Sequence, residues 1–96
     1  MIKHIVMWKF KDEVAEADKL EMKRQLEALK GVVPSLVDIE IGLNMAECPP
    51  AMDMVLSSEF QTQEDLKAYV AHAEHQKVAA FVKTLVCDRA VVDYET

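Results

Sequence analysis

The chain opens with a strict alternation of residues between two faces. Every second residue forms a mainly apolar face that includes one histidine: Ile2, His4, Val6, Trp8 and Phe10. A period of two residues predicts a β-strand, here over residues 2–11. The opposite face also carries apolar side chains near its middle, at Ile5 and Met7. We therefore expect both faces of this strand to be covered.

A helical spacing replaces the alternation over residues 16–30. Apolar side chains recur there at intervals of three or four residues, at Met22, Leu26, Leu29 and Val33. Gly31 is a typical helix stop, and Pro34 prevents the helix from continuing. Alternation returns at residues 37–43 and again at 52–60, which predicts two strands joined by a proline-containing loop.

A second helical region begins after Thr62. This residue, followed three positions later by Asp65, is typical of a helix N-cap. The apolar stripe of the first half of this region is out of register with the stripe of its second half. We therefore predict a kink or break between Ala71 and Gln76. A last alternating segment predicts a strand over residues 87–95.

The element order β-α-β-β-α-β predicts a ferredoxin-like α+β fold. Its four-stranded antiparallel sheet would carry both helices on one face, within a single domain over residues 1–96. The other face would display Ile5 and Met7 to solvent, and an exposed apolar surface favours association. A symmetric dimer covers such a face with a second copy. We therefore predict a homodimer through the helix-free sheet face.

The charge balance excludes two classes of partner. Seventeen acidic and eleven basic residues give a net charge of −6, which is the wrong sign for binding nucleic acid or an anionic membrane. The sequence also has no uncharged apolar run of about 18 residues, so we expect no membrane-spanning helix. A secretory signal pattern is not expected either, because charged residues interrupt the first segment.

The cysteine and histidine spacings favour neither a disulfide framework nor a metal site. Cys48 and Cys87 read as two reduced thiols, and we therefore expect a cytoplasmic location. His72 and His75, with Glu74 between them, offer two converging ligands at best. Zinc sites use three or four protein ligands. We predict no metal and no cofactor.

Four sequence blocks resemble the stress-responsive A/B barrel domain (Dabb) family. They occur in the family's order, over essentially the whole chain, at residues 3–13, 39–44, 69–75 and 89–94. The resemblance implies a ferredoxin-like subunit whose sheet packs on a second sheet, which makes a dimeric α+β barrel. Most members of the family have no assigned activity. The resemblance therefore implies a fold and a dimer more directly than a reaction.

The resemblance also implies a pair of site residues. In a plant subgroup of polyketide cyclases, a tyrosine and a histidine six residues apart act on a substrate between sheet and helices; Tyr69 and His75 occupy those positions. A phenol can hydrogen-bond a carbonyl oxygen while an imidazole accepts a proton. In an unbroken helix the two side chains would lie about 120° apart. They converge only if the chain bends, although Ala73 replaces the family's usual proline there.

A further set of residues is predicted to line a ligand pocket. His4 has two interpretations, a histidine with a structural partner or a pocket residue. Arg89 also has two, a salt bridge with an internal acid such as Asp93 or a contact to a bound carboxylate. An indole at Trp8 would narrow the space. The full set consists of His4, Val6, Trp8, Met22, Leu26, His72 and Arg89.

Three functions remain open from the sequence. The first is a homodimer of unassigned activity that binds a small organic ligand between sheet and helices. The alternative is a cofactor-independent enzyme of the polyketide-cyclase type, performing an aldol or lyase step with Tyr69 and His75. The third is a cofactor-free monooxygenase-like activity, which rests only on analogy with other dimeric α+β barrels.

Overall fold

Four strands and three helices make up the computed structural model, which describes residues 1–49 and 51–96. In chain order they are β1 (Ile2–Phe10), α1 (Glu16–Glu27), β2 (Asp38–Leu43), β3 (Met54–Phe60), α2 (Gln63–Ala71), α3 (Ala73–Lys83) and β4 (Val86–Glu95). This order confirms the predicted ferredoxin-like arrangement, with the second helical region divided in two.

The sheet is antiparallel throughout, in the order β2-β3-β1-β4. Its register places Asp93 of β4 opposite His4 of β1, and Arg89 opposite Trp8. Residues that lie directly opposite each other in an antiparallel pair share one face of the sheet. Both β4 side chains therefore lie on the face that His4 and Trp8 present to the helices.

The core lies between this face and the helices. Alternate residues of β1 and β3 are buried there, including Val6 at 2% exposure and Phe60 at 0%. From α1, Met22 and Leu26 complete the packing at 0% and 3% exposure. The predicted apolar stripe of the first helix is confirmed, because Leu29 and Val33 are buried as well. These last residues, however, lie beyond the end of the helix itself.

The first helix ends earlier than the spacing predicts. The helix stops at Glu27, and the N–H groups of Leu29 and Lys30 then bond carbonyls three residues back, as in a tightened last turn. Gly31 follows with a φ of 86°, a conformation that glycine adopts at no steric cost. A run of turns therefore carries the apolar stripe onward after the helical hydrogen bonds have ended.

The predicted break in the second helical region is confirmed at His72. Its ψ of 136° is extended, so the α2 hydrogen bonds cannot continue through it. Its ring Nδ1 accepts a hydrogen bond from the Glu74 N–H at 3.1 Å and thereby caps α3. The N-cap at Thr62 is also confirmed, because its hydroxyl oxygen accepts from the Asp65 N–H. The helix therefore breaks at this turn although the turn contains no proline, and the His72 side chain caps the helix that follows.

The helix-free face of the sheet is mixed in character. Ile5 and Met7 are half-buried on it, whereas Val55 and Val92 are exposed at 37% and 56%. Beside these apolar side chains, Lys3 forms an ion pair with Glu59. None of the helices in the described residues has the length and hydrophobicity needed to cross a membrane.

Candidate functional site

A cavity of about 230 Å³ lies between the sheet and the helices; we call it the Tyr69–His75 cavity. Its apolar wall is formed by Val6, Trp8, Leu26, Leu56, Ala79, Val82 and Val86. Its polar lining consists of His4, Tyr69, His75, Lys83 and Arg89. An apolar enclosure with a few polar groups is the usual character of a small-molecule site.

The break at His72 brings Tyr69 and His75 together. Their ring centroids are 4.4 Å apart, and the ring planes are inclined by 52°. In a continuous helix the two side chains would lie on different faces, as their six-residue spacing requires. The extended backbone at His72 redirects α3, and both rings then line the same cavity.

The hydrogen bonding of His75 fixes its neutral tautomer. The ring Nδ1 lies 3.1 Å from the carbonyl oxygen of Val70. Because a carbonyl oxygen only accepts hydrogen bonds, Nδ1 must carry the proton and donate it. In the neutral ring, Nε2 then holds a lone pair and is able to accept a proton.

The pKa of His75 is lowered from its ordinary value of 6.5. Burial is the main cause, since the charged imidazolium is less well solvated in the cavity. The hydrogen bond to Val70 opposes this effect, while the electrostatic effects of His4, Arg89 and His72 add to it. The ring is therefore neutral at physiological pH, as a general base must be.

Tyr69 is a buried phenol that lines the cavity. Its ring packs against Phe60, with centroids 5.1 Å apart, and burial raises its pKa to about 12. The hydroxyl makes no hydrogen bond within the described part of the chain. The one fully buried polar side-chain atom without a partner there is Ser35 Oγ, so the Tyr69 oxygen keeps some accessible surface. The Tyr69 hydroxyl stays protonated and is able to donate a hydrogen bond to a bound ligand.

His4 combines the two roles that the sequence left open. Its Nδ1 lies 2.5 Å from an oxygen of Asp93, which gives the ring a carboxylate partner. The same ring lines the cavity and stands edge-on to Tyr69, with centroids 6.4 Å apart. Asp93, considered in the sequence as a partner for Arg89, therefore pairs with His4 instead.

Arg89 and Lys83 bring positive charge to the cavity. Both side chains are exposed and line it, and neither takes part in an ion pair among the described residues. The salt-bridge interpretation of Arg89 is therefore wrong for this subunit. Lys83 had not been predicted. Ala79 and Lys83 lie four and eight residues after His75. This spacing places all three residues on one face of α3.

Two residues predicted to line the pocket do not contact this cavity. Met22 of α1 is fully buried in the core and is not among the residues that line the cavity. His72 uses its ring to cap α3. Both errors have the same origin. Apolar spacing and motif position indicate which side of a helix faces the sheet, but they do not indicate where a cavity remains between the two.

Within the described residues, no group of three or more His, Cys, Asp or Glu side chains is arranged to hold a metal ion. Cys48 and Cys87 are both free and exposed. Tyr69 and the histidines are able to supply proton transfer and hydrogen bonding to the cavity. Arg89 and Lys83 add positive charge.

A family model described as the stress responsive A/B barrel domain matches residues 2–96. This chain belongs to that family. The resemblance inferred from the four sequence blocks is thereby confirmed.

Two curated relatives of this A/B barrel domain differ in what is known of them. An Arabidopsis thaliana stress-response A/B barrel domain-containing protein is 31% identical over 88 residues, which cover 92% of this chain. The match spans only 34% of that relative's length. Olivetolic acid cyclase of Cannabis sativa is 26% identical over 76 residues, covering 77% of this chain and 75% of the enzyme.

Solved structures share the A/B barrel domain's fold across nearly its whole length. A dimeric Bacteroides fragilis protein of unknown function with a ferredoxin-like fold has 33% identity and a TM-score of 0.82, covering 99% of this chain and 95% of that one. The hydroxynitrile lyase of Passiflora edulis has 13% identity and a TM-score of 0.87, covering 97% and 90%. An antibiotic biosynthesis monooxygenase has 18% identity and a TM-score of 0.82, covering 100% and 98%. The last two matches show the fold alone.

Proposed function

We propose that this A/B barrel domain binds a small organic molecule in the Tyr69–His75 cavity. The observation that carries the proposal is that Tyr69 and His75, whose rings lie 4.4 Å apart, both line one mainly apolar cavity. At about 230 Å³ the cavity lies below the range of roughly 300–1,000 Å³ that holds drug-sized ligands. Its occupant is accordingly small, with an apolar body and at least one hydrogen-bond acceptor.

A ketone fits this description. Its carbonyl oxygen accepts the hydrogen bond that Tyr69 is free to donate, and its alkyl part contacts Val6, Leu56 and Val82 on the apolar wall. The buried hydroxyl gains a partner when the ketone enters. Supplying a hydrogen-bond partner to such a group is worth about 0.5–1.5 kcal/mol.

The binding test uses Trp8, the only tryptophan in the sequence and a lining residue of the cavity. Titration with 2-hexanone should change its fluorescence with a saturable midpoint. Tyr69→Phe should weaken binding about three- to ten-fold, the equivalent of one lost neutral hydrogen bond. Tyr94→Phe is the matched control, since it alters the chain's other tyrosine, on the helix-free face. Equal midpoints for wild type and Tyr69→Phe would contradict the proposed contact.

A cofactor-independent enzyme is the second candidate function, and the tautomer of His75 favours it. Nε2 would remove a proton from the carbon next to the ketone, and the electron pair would move onto the carbonyl oxygen as an enolate. The Tyr69 hydroxyl would stabilise that oxygen by hydrogen bonding. The enolate carbon would then attack a second carbonyl, whose oxygen would take the proton from the imidazolium as the new carbon–carbon bond forms. Alternatively, the enolate carbon would regain that proton itself. Olivetolic acid cyclase and hydroxynitrile lyase, both named above, lend support by likeness only.

Proton exchange in D₂O tests this candidate without knowledge of the physiological substrate. The signal from the α-protons of 2-hexanone should disappear faster with the wild-type protein than in buffer. His75→Gln should reduce the protein-dependent rate at least ten-fold, because it removes the base. An unchanged rate in His75→Gln would leave ligand binding as the function and remove the enzyme candidate.

We also propose that two copies associate through the helix-free sheet face. Ile5, Met7, Val55 and Val92 lie on that face and are covered only in part by their own subunit. The dimeric Bacteroides fragilis relative supports association.

The monooxygenase-like alternative has only the shared fold in its support. The single domain and the cytoplasmic location stay predictions.

A further inference from the structure

The charged side chains that line the Tyr69–His75 cavity are all basic. Arg89 and Lys83 contribute positive charge, and no Asp or Glu occurs among the described residues that line it. This local balance is the reverse of the chain's, which carries a net charge of −6. An acidic protein that gathers unpaired cations around one apolar cavity provides a local site for an anion.

Arg89 is the more informative of the two cations. The chain has one other arginine, Arg24, whose guanidinium bonds both oxygens of Glu21. By contrast, the carboxylate next to Arg89, Asp88, accepts from the Arg89 backbone N–H at 2.8 Å. The Arg89 guanidinium itself has no carboxylate partner among the described residues. Lys83 carries less weight, because a basic residue in the last turn of a helix is favoured by the helix dipole.

The register of the sheet aims Arg89 toward the cavity. It lies opposite Trp8, on the face of the sheet that the helices cover. Its positive charge contributes to lowering the pKa of His75, which places the two groups within electrostatic reach of each other. The base, the phenol and the guanidinium thus surround one space.

We infer that the ligand of this cavity is a short oxo acid, whose carboxylate binds the Arg89 guanidinium while its ketone accepts a hydrogen bond from Tyr69. This inference rests on the proposed ligand site and adds the chemical class of the ligand. A planar guanidinium matches a carboxylate with two parallel hydrogen bonds. The apolar wall then holds the carbon chain between the two polar ends.

The spacing of the anchoring groups sets the length of this oxo acid. Tyr69 lies beside His4, and Arg89 lies opposite Trp8, four residues further along β1. Four residues of strand span about 13 Å, of which the long arginine side chain covers a part. A ligand that reaches both ends therefore has several bonds between its carboxylate and its ketone. 5-Oxohexanoate meets this requirement and is a suitable probe.

The test compares 5-oxohexanoate with its neutral amide, 5-oxohexanamide, by titration of Trp8 fluorescence. For the wild-type protein we expect the anion to bind at least ten-fold more tightly, as a charge-assisted pair provides. Arg89→Gln should bring the two midpoints together while the amide binds as before. Arg24→Gln changes the net charge equally but lies outside the cavity, so it should keep the preference.

Each remaining outcome contradicts a distinct statement. If Arg89→Gln keeps the preference for the anion, the assignment to Arg89 is wrong. Should the wild type bind both probes equally, the ligand site stands and the oxo-acid class is wrong. If neither of the two probes nor 2-hexanone binds saturably, the ligand site itself is wrong as well. Circular dichroism of each variant checks that the exposed substitution leaves the fold intact.

Discussion

The two faces of the sheet solve the same packing problem in different ways. On the helix-covered face, Val6 and Phe60 are almost fully buried within one subunit, and a mainly apolar cavity remains open beside Val6. On the helix-free face, Ile5 is half-buried and Val92 is 56% exposed. The chain itself covers the first face except at the cavity, whereas it leaves apolar side chains of the second face only partly covered.

This difference arises within single strands. Along β1, His4 and Ile5 are neighbours in sequence, yet one lines the cavity and the other lies on the opposite surface. A period of two residues directs successive side chains alternately toward the cavity and toward the helix-free surface. Substitutions one residue apart should therefore affect different properties: stability and ligand binding on one face, oligomeric state on the other.

Truncation of the covered face should have the largest effect. Phe60→Ala removes a fully buried ring that packs against Tyr69. We expect the free energy of unfolding to fall by about 3–5 kcal/mol, because the substitution loses buried apolar surface and also leaves an empty space where the ring was. Lys9→Ala, an exposed position on β1, is the control and should change it by less than about 0.5 kcal/mol. Urea denaturation measures both; a loss below about 1 kcal/mol for Phe60→Ala would contradict this account of the core.

A charge on the helix-free face should break the dimer while the subunit remains folded. Ile5→Glu places like charges on two symmetric surfaces and removes apolar contact, so we expect dimer affinity to fall at least about 100-fold, or 2.7 kcal/mol. Light scattering should show the mass changing from about twice 10.9 kDa to that of one chain. Lys67→Glu, exposed on α2 at the other side of the sheet, should leave the dimer intact. A wild-type protein that is monomeric, or an Ile5→Glu protein that stays dimeric, would refute the proposed interface.

Substitution of His72, at the break between α2 and α3, should have an intermediate effect. His72→Ala removes the ring that caps α3, at a cost of about 1 kcal/mol in the free energy of unfolding. It also favours a continuous helix, which would separate Tyr69 from His75, so binding of 2-hexanone should weaken too. His72→Asn retains a capping side chain and should preserve both properties. If His72→Ala binds the ketone as the wild type does, the break is maintained by other contacts.

Acidification should have the smallest effect. The folded-state pKa of His75 is lowered below its unfolded value of about 6.5, so the unfolded chain binds more protons between the two values. The contribution of His75 to stability is therefore complete above pH 6.5 and is lost as the pH falls through this window. Because the ring is half-exposed, we expect a loss below about 1 kcal/mol. His75→Gln should show a shallower loss than wild type between pH 8 and pH 5, and equal slopes would contradict this.

Local signals predicted the fold well. The alternation around Ile5 and Met7, the Thr62–Asp65 cap and the shifted stripe after Tyr69 each depend on residues close in sequence. The sequence also placed Tyr69 and His75 in one site, through the family resemblance. It did not predict that the His72 ring would cap α3 in a turn where the family usually has proline.

The rest of the site depends on long-range register and on packing. Asp93 pairs with His4 because β4 aligns with β1 in one register among several, which no local pattern specifies. Met22 was assigned to the pocket because helical spacing shows that it faces the sheet. Whether a side chain fills the core there or borders a cavity depends on neighbours contributed by other elements.

The central claim is that the covered face holds a ligand site built around Tyr69 and His75. The most direct measurement is a titration with 5-oxohexanoate followed by NMR of the histidine side chains and methyl groups. The account predicts saturable shifts at His75 Nε2 and at the Val6 and Val82 methyls, with Ile5 and Val92 unchanged. Shifts confined to Ile5 and Val92, or no saturable shift at His75, would contradict it.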